Sequence, residues 1–596
     1  MKKNDWILLI SVCLYSFLFY EQSAGINFTI FSLLLASLLF IKDKSLLKNP
    51  NWRFAAIGGI VTAILVGYYG NTLCVIANVI SLSYLSAMSV SPNSSLLMGL
   101  LFSAYSYCSS LIFMFIAYVE RKANPEPDQK NNSTKKVALT IIPIIVTAIF
   151  FFMYRASNAL FDDLASKINF DFISFSWIAF TLGGFILLYG FFYHRKISTL
   201  SAMDENASNS LDPKNNNTIS LFGKKLGLDE EEFSGRIMLI LLNALLLLVN
   251  CLDINFLFID GKLPKNVNYS EFVHQGIGML IASILIAIAI ILFYFRGALN
   301  FYKRNRTLKL LAYFWIIQNA FMLLSTAFRN EMYINEYGLT YKRIGVFVYL
   351  LLTLIGLLTT IIKIFKSKSN HFLFRINGIL FYSLLVVSCF FSWDDIITSF
   401  NMKKAHWLEK NYLLELSETN LPQLFVLKHD TISRNREFKL KTQALALDYA
   451  TTNNDQSLNF DAELNRKLVL FIDNYETPNW KSWYYDEQST YNQLQNLKVF
   501  ETTSELNLKE LHLSAVPILQ PFINLKKLNL YDNSISSLDG IEKLTKLEYL
   551  DVSHNKITDY KPLYKLKNLK ELTTNLMSNT QLKELQGRLP NTKINK

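Results

Sequence analysis

Cysteine is scarce in this chain of 596 residues. The five, Cys13, Cys74, Cys108, Cys251 and Cys389, all lie in or beside apolar runs, and no two have CxxC spacing. That argues against a disulfide framework or a thiolate zinc site and leaves them as small buried side chains. From residue 393 onward there is no cysteine at all, which is compatible with an oxidising compartment. The seven histidines are scattered. A Walker loop, HExxH, G-x-S-x-G and a G-x-G-x-x-G after a strand are all missing, so none of those chemistries can be assigned. The net charge of +12 is not gathered on one basic face, which argues against a nucleic-acid partner. No metal or cofactor is implied and no catalytic residue is assigned. No small-residue cleavage site cleanly follows the first apolar run, which reads as a membrane helix that stays.

Long apolar runs dominate instead. A spanning helix needs about 20 mostly apolar residues, because the hydrocarbon layer is about 30 Å thick. Candidate runs are 6–20, 25–41, 54–69, 72–90, 96–119, 137–154, 172–193, 237–252, 276–295, 308–328, 344–364 and 376–391. Residues 1–392 therefore read as an all-α polytopic transmembrane bundle of about 12 spans. Residues 393–490 read as a soluble helical connector, and 491–596 as a small α/β solenoid. Lysine and arginine concentrate in loops 120–136, 194–236, 296–307 and 365–375, each separated from the next by two runs. All four are expected to be cytoplasmic, which puts the C-terminal part outside. Loop 42–53 is basic too, yet three runs separate Arg53 from Glu120. Either one run is re-entrant or the N-terminus breaks the rule, and the serine-rich run 72–90 is the weakest span. The polar stretch 204–217 reads as a tether.

The C-terminus repeats. Leu525-x-x-Leu528-x-Leu530-x-x-Asn533-x-Ile535 recurs 22 residues on as Leu547-x-x-Leu550-x-Val552-x-x-Asn555-x-Ile557, then in degraded form from Leu569. An earlier copy is read at Leu508-x-x-Leu511-x-Leu513, 17 residues upstream. This is a leucine-rich repeat pattern: one short strand per turn, leucines inward, and an asparagine bonding the backbone where the strand turns. Between the leucines, Lys527, Asn529, Tyr531, Tyr549, Asp551 and Ser553 face the concave side, joined by Glu510, His512 and Ser514 from the earlier copy. Such a surface suits a protein or peptide partner, or it is a solvated sheet with none.

One polar knot, 329–343, interrupts the apolar runs. On a helix Arg329, Tyr333, Glu336 and Tyr337 share a face, with Gly338 ending it. Arg329, Lys342 and Arg343 violate the positive-inside preference, and Glu331 and Glu336 are at hand to compensate. Asp253 closes an earlier run, where interfacial solvation accounts for it. Glu271 and His274 are three apart, which either fits a metal-type spacing or marks a helix start at the interface. Together Asp253, Glu271, His274, Arg329, Tyr333, Glu336, Tyr337 and Arg343 form the candidate outer cavity.

These residues carry a resemblance. Asn250-Cys-Leu-Asp253, Tyr269-Ser-Glu-Phe-Val-His274, and above all Arg329, Tyr333, Tyr337-Gly-Leu-Thr340 and Arg343 resemble the bacterial polytopic membrane family of domain of unknown function 4173. Leu447-Asp-Tyr449 is similar to that family's region after the last span. The likeness covers about residues 150–490, and the repeat tail is an addition. It implies a membrane bundle among lipids and supplies no chemistry. Three functions stay open: an anchored binding protein whose outer repeats recognise a protein or envelope component; a transporter-like bundle regulated by the tail; and an intramembrane enzyme on a lipid-linked substrate. The near absence of ionisable groups mid-span counts against ion coupling in the second.

Overall fold

The structure, a computed structural model, describes residues 3–123, 174–213, 220–221, 224–225, 227–255, 283–404, 409–428, 450–476, 479–575 and 577–595, with scattered positions between 143 and 161. Apolar helices α1 (Lys3–Phe19), α2 (Ile26–Lys42), α3 (Pro50–Tyr69), α4 (Thr72–Val90), α5 (Leu96–Cys108), α6 (Ser110–Ala123) and α7 (Phe175–Phe192) build a first bundle. After the short α8 (Ser198–Asn206), a second bundle follows: α9 (Leu228–Ile254), α10 (Ser283–Tyr294), α11 (Arg306–Tyr337) and α12 (Tyr341–Phe365). Helix α13 (Asn370–Ser388) packs on both: it touches α12, and its Tyr382 is buried in the first bundle, donating to Ser81 Oγ at 2.8 Å.

Among the described residues seven helices are long and apolar enough to cross a bilayer: α3, α4, α7, α9, α11, α12 and α13. An eighth would be α5 joined to the first turns of α6, bent by 65°. Helices α1, α2 and α10 are shorter, and most of run 137–154 lies outside the described residues. The expected weak span, 72–90, is one of the seven; the irregular element is the next one. Its bend falls at consecutive serines. Ser110 Oγ donates back to the Ser106 carbonyl at 2.7 Å and Ser109 Oγ to that of Tyr105, the local competition that bends helices.

Helix α9 is inverted relative to a helix of a water-soluble protein. Its outward face carries Leu241, Leu245, Leu248 and Leu252, each more than half exposed, while its buried residues include Glu231, Glu232, Asn243, Asn250 and Asp253. Only an apolar solvent makes that arrangement favourable. Cysteine follows the same logic. Cys74 and Cys389 are buried as expected, but Cys13, Cys108 and Cys251 lie on outward apolar faces.

The hydrogen bonds sort the loops into two ends. At one, Asn51 Nδ2 donates to the Pro92 carbonyl (2.8 Å), Lys42 Nζ to that of Phe192 (2.5 Å), and Ser369 N to that of Asn209 (3.1 Å). The expected tether is folded over its first part here. Asp204, in α8, is buried and accepts from Ser95 N (2.6 Å) and Ser95 Oγ (2.9 Å). A partner 109 residues away is invisible to composition.

The other end carries residues 393–596, the part expected from its composition to be soluble. Helices α14 (Trp393–Lys404), α15 (Lys410–Glu415), α16 (Ala450–Glu476) and α17 (Tyr485–Asn496) share one hydrophobic core with the repeats, from Ile397 to Leu589. Five parallel strands stack in chain order: β1 (Glu505–Asn507), β2 (Lys527–Asn529), β3 (Tyr549–Asp551), β4 (Glu571–Thr573) and β5 (Lys593–Asn595). The register Glu505, Lys527, Tyr549, Glu571, Lys593 keeps a 22-residue step throughout. The earlier copy therefore begins five residues before the expected one. Leu506 and Leu508 are its inward pair, while Glu510 and His512 have φ of 59° and 56° and belong to the turn, not the strand. Helix α16 packs on β1 and seals that edge. Helix α18 (Asn579–Arg588) and β5 close the other.

The asparagines act as the pattern predicts. Asn533 Nδ2 donates to the Leu508 and Leu530 carbonyls, both at 3.0 Å, and its Oδ1 accepts from Leu511 N and Leu513 N. Asn555 does the same one turn on, donating to Leu530 and Val552 and accepting from Ile535 N.

Candidate functional site

Helices α9 and α11 run side by side and meet along a polar seam. Gln318 Nε2 donates to Asn243 Oδ1 at 2.6 Å, and Asn243 Nδ2 donates to the Leu239 and Leu311 carbonyls. Two turns on, Asn250 Nδ2 donates to the Gln318 carbonyl at 3.2 Å. At the top, Asp253 accepts from Ser325 Oγ at 2.7 Å and from the Arg329 guanidinium. The side chains of Asp253 and Arg329 are only 10% and 12% exposed. Glu331 and Glu336, at hand to compensate the basic residues of the knot, are exposed, while the nearly buried Asp253 receives Arg329. A buried acid there is satisfied by a buried base, not by interfacial water.

The rest of the 329–343 knot is a joint. Helix α11 ends at Tyr337, with Gly338 at φ 81°. Arg343 folds back: its guanidinium donates to the Tyr337 carbonyl at 2.8 Å and to that of Gly338, and stacks 4.2 Å over the Tyr333 ring. Tyr333 and Tyr337 rings lie 4.9 Å apart. Thr340 caps α12 by accepting from Arg343 N. Leu339 and Asn401 of α14 then exchange hydrogen bonds, and Tyr341 donates through its hydroxyl to Asp394 at 2.8 Å and through its backbone N–H to Tyr412. The knot thus links the second bundle to the soluble part.

The aromatic loop after α16 makes the equivalent link to the first bundle. The Trp483 carbonyl accepts from Ile26 N at 2.8 Å, Tyr485 stacks on Tyr68 at 4.8 Å, and Lys481 Nζ donates to the Phe17 carbonyl at 2.7 Å. A Cβ on Gly70 (φ 63°) would lie 2.6 Å from the Tyr484 ring.

Of the eight outer-cavity residues, Asp253 and Arg329 meet, and Tyr333, Tyr337 and Arg343 cluster. Glu336 points to solvent, and Glu271 and His274 lie outside the described residues. Among the described residues no three of His, Cys, Asp and Glu come together as a metal cluster.

The concave repeat face is a groove of about 890 Å³. Lys527, Asn529, Tyr549 and Asp551 line it together with Glu505 and Glu571. Its far wall, which the sequence reading missed, is helical: Phe425 and Lys428 with Asp461, Ala462 and Asn465 of α16. Tyr531 and Ser553 lie one row further along, outside this lining; Tyr531 packs 4.9 Å from His554, and Ser553 donates to Asp551 at 2.5 Å. The charges are internally matched. Lys527 pairs with Glu505 at 2.7 Å, Lys593 with Glu571 at 3.6 Å, and Lys428 with Asp461 at 3.6 Å. Such a surface presents hydrogen-bonding groups and one tyrosine face without a strong net field.

A signal for the seam was available: Asn243 and Asn250 are seven apart, as are Gln318 and Ser325, one stripe on each helix. No sequence signal located the helical wall, since it is far from the repeats along the chain.

Comparison with known families adds the kinship. The model of a domain of unknown function, DUF4153, matches residues 6–426. A model of two leucine-rich repeats matches 523–559 and 545–591. The family number is thus 4153, where the tyrosine-glycine motif suggested 4173, and the match begins near the N-terminus, not at about residue 150. No curated protein matches the chain. The chain belongs to the DUF4153 family of unknown function and carries leucine-rich repeats at its C-terminus.

Proposed function

We propose that this integral membrane protein holds a repeat domain outside the cytoplasm to bind a protein or peptide. The observation that carries the reading is the two-walled groove of about 890 Å³ over β1 to β4. Repeats of this kind generally mediate protein contacts. Lys527, Asn529, Tyr549 and Asp551 are the proposed contacts, with Tyr531 and Ser553 at the margin. Residues 1–392 anchor, 393–490 join, and 491–596 recognise. Lipid surrounds the bundle.

The orientation rests on charge. Loops around Lys42–Lys48, Arg195, Arg296–Arg306 and Lys366–Arg375 are basic and belong to the end away from the soluble part, so positive-inside places that part outside. Reading the bent α5–α6 pair as re-entrant supports the same orientation, because it restores the parity that three full spans would break. The proposed count of about twelve membrane segments comprises the seven long helices, the bent pair, three shorter helices and run 137–154.

The test is photo-crosslinking in intact cells from a reactive amino acid at Tyr549, compared with one at Ile523, an exposed position outside the groove lining. A partner captured from 549 and lost on Lys527→Glu is the expected outcome. Equal capture from both positions would overturn the reading, and a reporter at Lys596 active only in the cytoplasm would overturn the orientation. The seam of Asn243, Gln318, Asn250 and Asp253 favours a second reading, in which the bundle passes a polar solute under control of the repeats. Solute flux in proteoliposomes that Asn243→Leu leaves unchanged would count against it.

A further inference from the structure

We propose that a pocket between α1, α7 and the soluble part holds the headgroup of a zwitterionic phospholipid, its phosphate at Lys481 and its ammonium at Glu21. The pocket measures about 470 Å³, within the usual range for a small-molecule site. Its place points to lipid. It lies at the end of two apolar helices, on the side where the soluble part docks, where headgroups meet protein. Phe17 is 55% exposed and Phe175 85% exposed beside it, apolar faces open to an acyl chain. Tyr20 and Trp177 line it as well, the two residue types that favour the membrane–water boundary.

The charges select the headgroup. Lys481 is fixed in place: its ammonium donates to the Phe17 carbonyl at 2.7 Å and sits 3.8 Å from the centre of the Phe17 ring. Two of its three N–H groups remain for a ligand. Glu21 is exposed, held at the helix end with φ 54°. Both line the pocket, yet the two do not form an ion pair with each other. An anionic headgroup would satisfy Lys481 and face Glu21 with like charge. A neutral glycolipid would leave both charges unmatched. A phosphate linked to an ammonium matches both, and the aromatic faces favour the ammonium further. The hydroxyl of Tyr20 is already committed to Ser174 Oγ at 2.8 Å, and that of Ser16 to Thr181 at 2.9 Å. They form a fixed floor.

The test is native mass spectrometry of the full-length, delipidated protein in detergent, titrated separately with phosphatidylethanolamine, phosphatidylcholine and phosphatidylglycerol. Retention of both zwitterionic lipids about tenfold above phosphatidylglycerol is expected, the worth of one charge-assisted contact. Lys481→Gln and Glu21→Gln should each lower it about tenfold. Glu21→Lys should reverse the preference toward phosphatidylglycerol, a gain that a misfolded variant cannot produce. Equal retention of all three lipids, or unchanged retention in both glutamine variants, would overturn the proposal. Competition by glycerophosphoethanolamine at the potency of the whole lipid would reassign the site to a free phosphodiester and overturn the lipid assignment.

Discussion

The carboxylate of Asp253 is clamped between the Arg329 guanidinium and the Ser325 hydroxyl, the arginine coming from 76 residues further along the chain. It ties the tops of α9 and α11 together just below the joint with the soluble part. The pair is nearly buried, so its energetics are those of a desolvated ion pair. Removing one partner strands a charge, while removing both does not.

The first prediction follows from that asymmetry. Asp253→Asn should destabilise the second bundle by about 3–5 kcal/mol. Asp253→Leu combined with Arg329→Met should recover most of the loss. Denaturant unfolding in detergent measures both. Equal destabilisation by the single and double changes would show that the pair does not hold the helices.

The joint gives a second. Asn401 both accepts from Leu339 N and donates to the Leu339 carbonyl. Asn401→Ala should cost about 1–3 kcal/mol by leaving both backbone groups unmatched. Gly338→Ala should act in the same direction for a different reason. Its φ of 81° is costly for alanine, and the added Cβ would lie 2.7 Å from Asn401 Oδ1. Faster release of the soluble part by limited proteolysis is the readout, and an unchanged rate would count against the joint.

A third concerns the repeats. Asn555 holds the buried carbonyls of Leu530 and Val552 and the Ile535 N–H. Asn555→Ala should cost about 2–3 kcal/mol and speed hydrogen exchange in β2 and β3. Asn575 accepts from His554 N at an exposed turn, so Asn575→Ala should have a much smaller effect.

The fourth is a pH dependence. Burial raises Asp486 to about 6 from 3.8, helped by Asp395 and Asp394, and Glu487 to about 7 from 4.5, helped by Glu418. The folded state therefore holds more protons than the unfolded state across that interval. Stability contributed by these two groups falls as pH rises from about 4 to about 7. Lys467 acts in the opposite sense at higher pH. Burial lowers it to about 8 from 10.5, so its penalty is relieved as pH climbs through that range. The melting temperature should drop between about pH 4 and 7, and Asp486→Asn with Glu487→Gln should flatten the slope. A slope unchanged in that double variant would exclude these groups as its cause.

Much of the architecture could be read before any coordinate. Apolar run length located the seven long helices among the described residues because lipid imposes a single physical requirement over about 20 residues. The 22-residue period located the repeats because each turn must bury its leucines against the next. The reading failed at the first repeat, where Leu511 and Leu513 mimic the strand pattern although their backbone N–H groups bond to Asn533. It failed again over 204–213, where Asp204 is buried by a long-range partner; residues 214–217 lie outside the described residues. Of the outer-cavity residues, Asp253 lies 76 positions from its partner Arg329, so proximity in sequence pointed only to Glu331 and Glu336.

The sequence by itself determined the membrane helices, the repeats and the asparagine ladder, since these follow from local periodicity and from backbone groups that must be satisfied within a turn or its neighbour. Only the tertiary structure decided that Asp253 meets Arg329, that Tyr341 and Asn401 lock the soluble part to the second bundle, and that Asp461 and Asn465 wall the repeat groove. Those contacts join residues from about 40 to more than 100 positions apart, and they are specified by how whole helices pack, a property that no single stretch of chain contains.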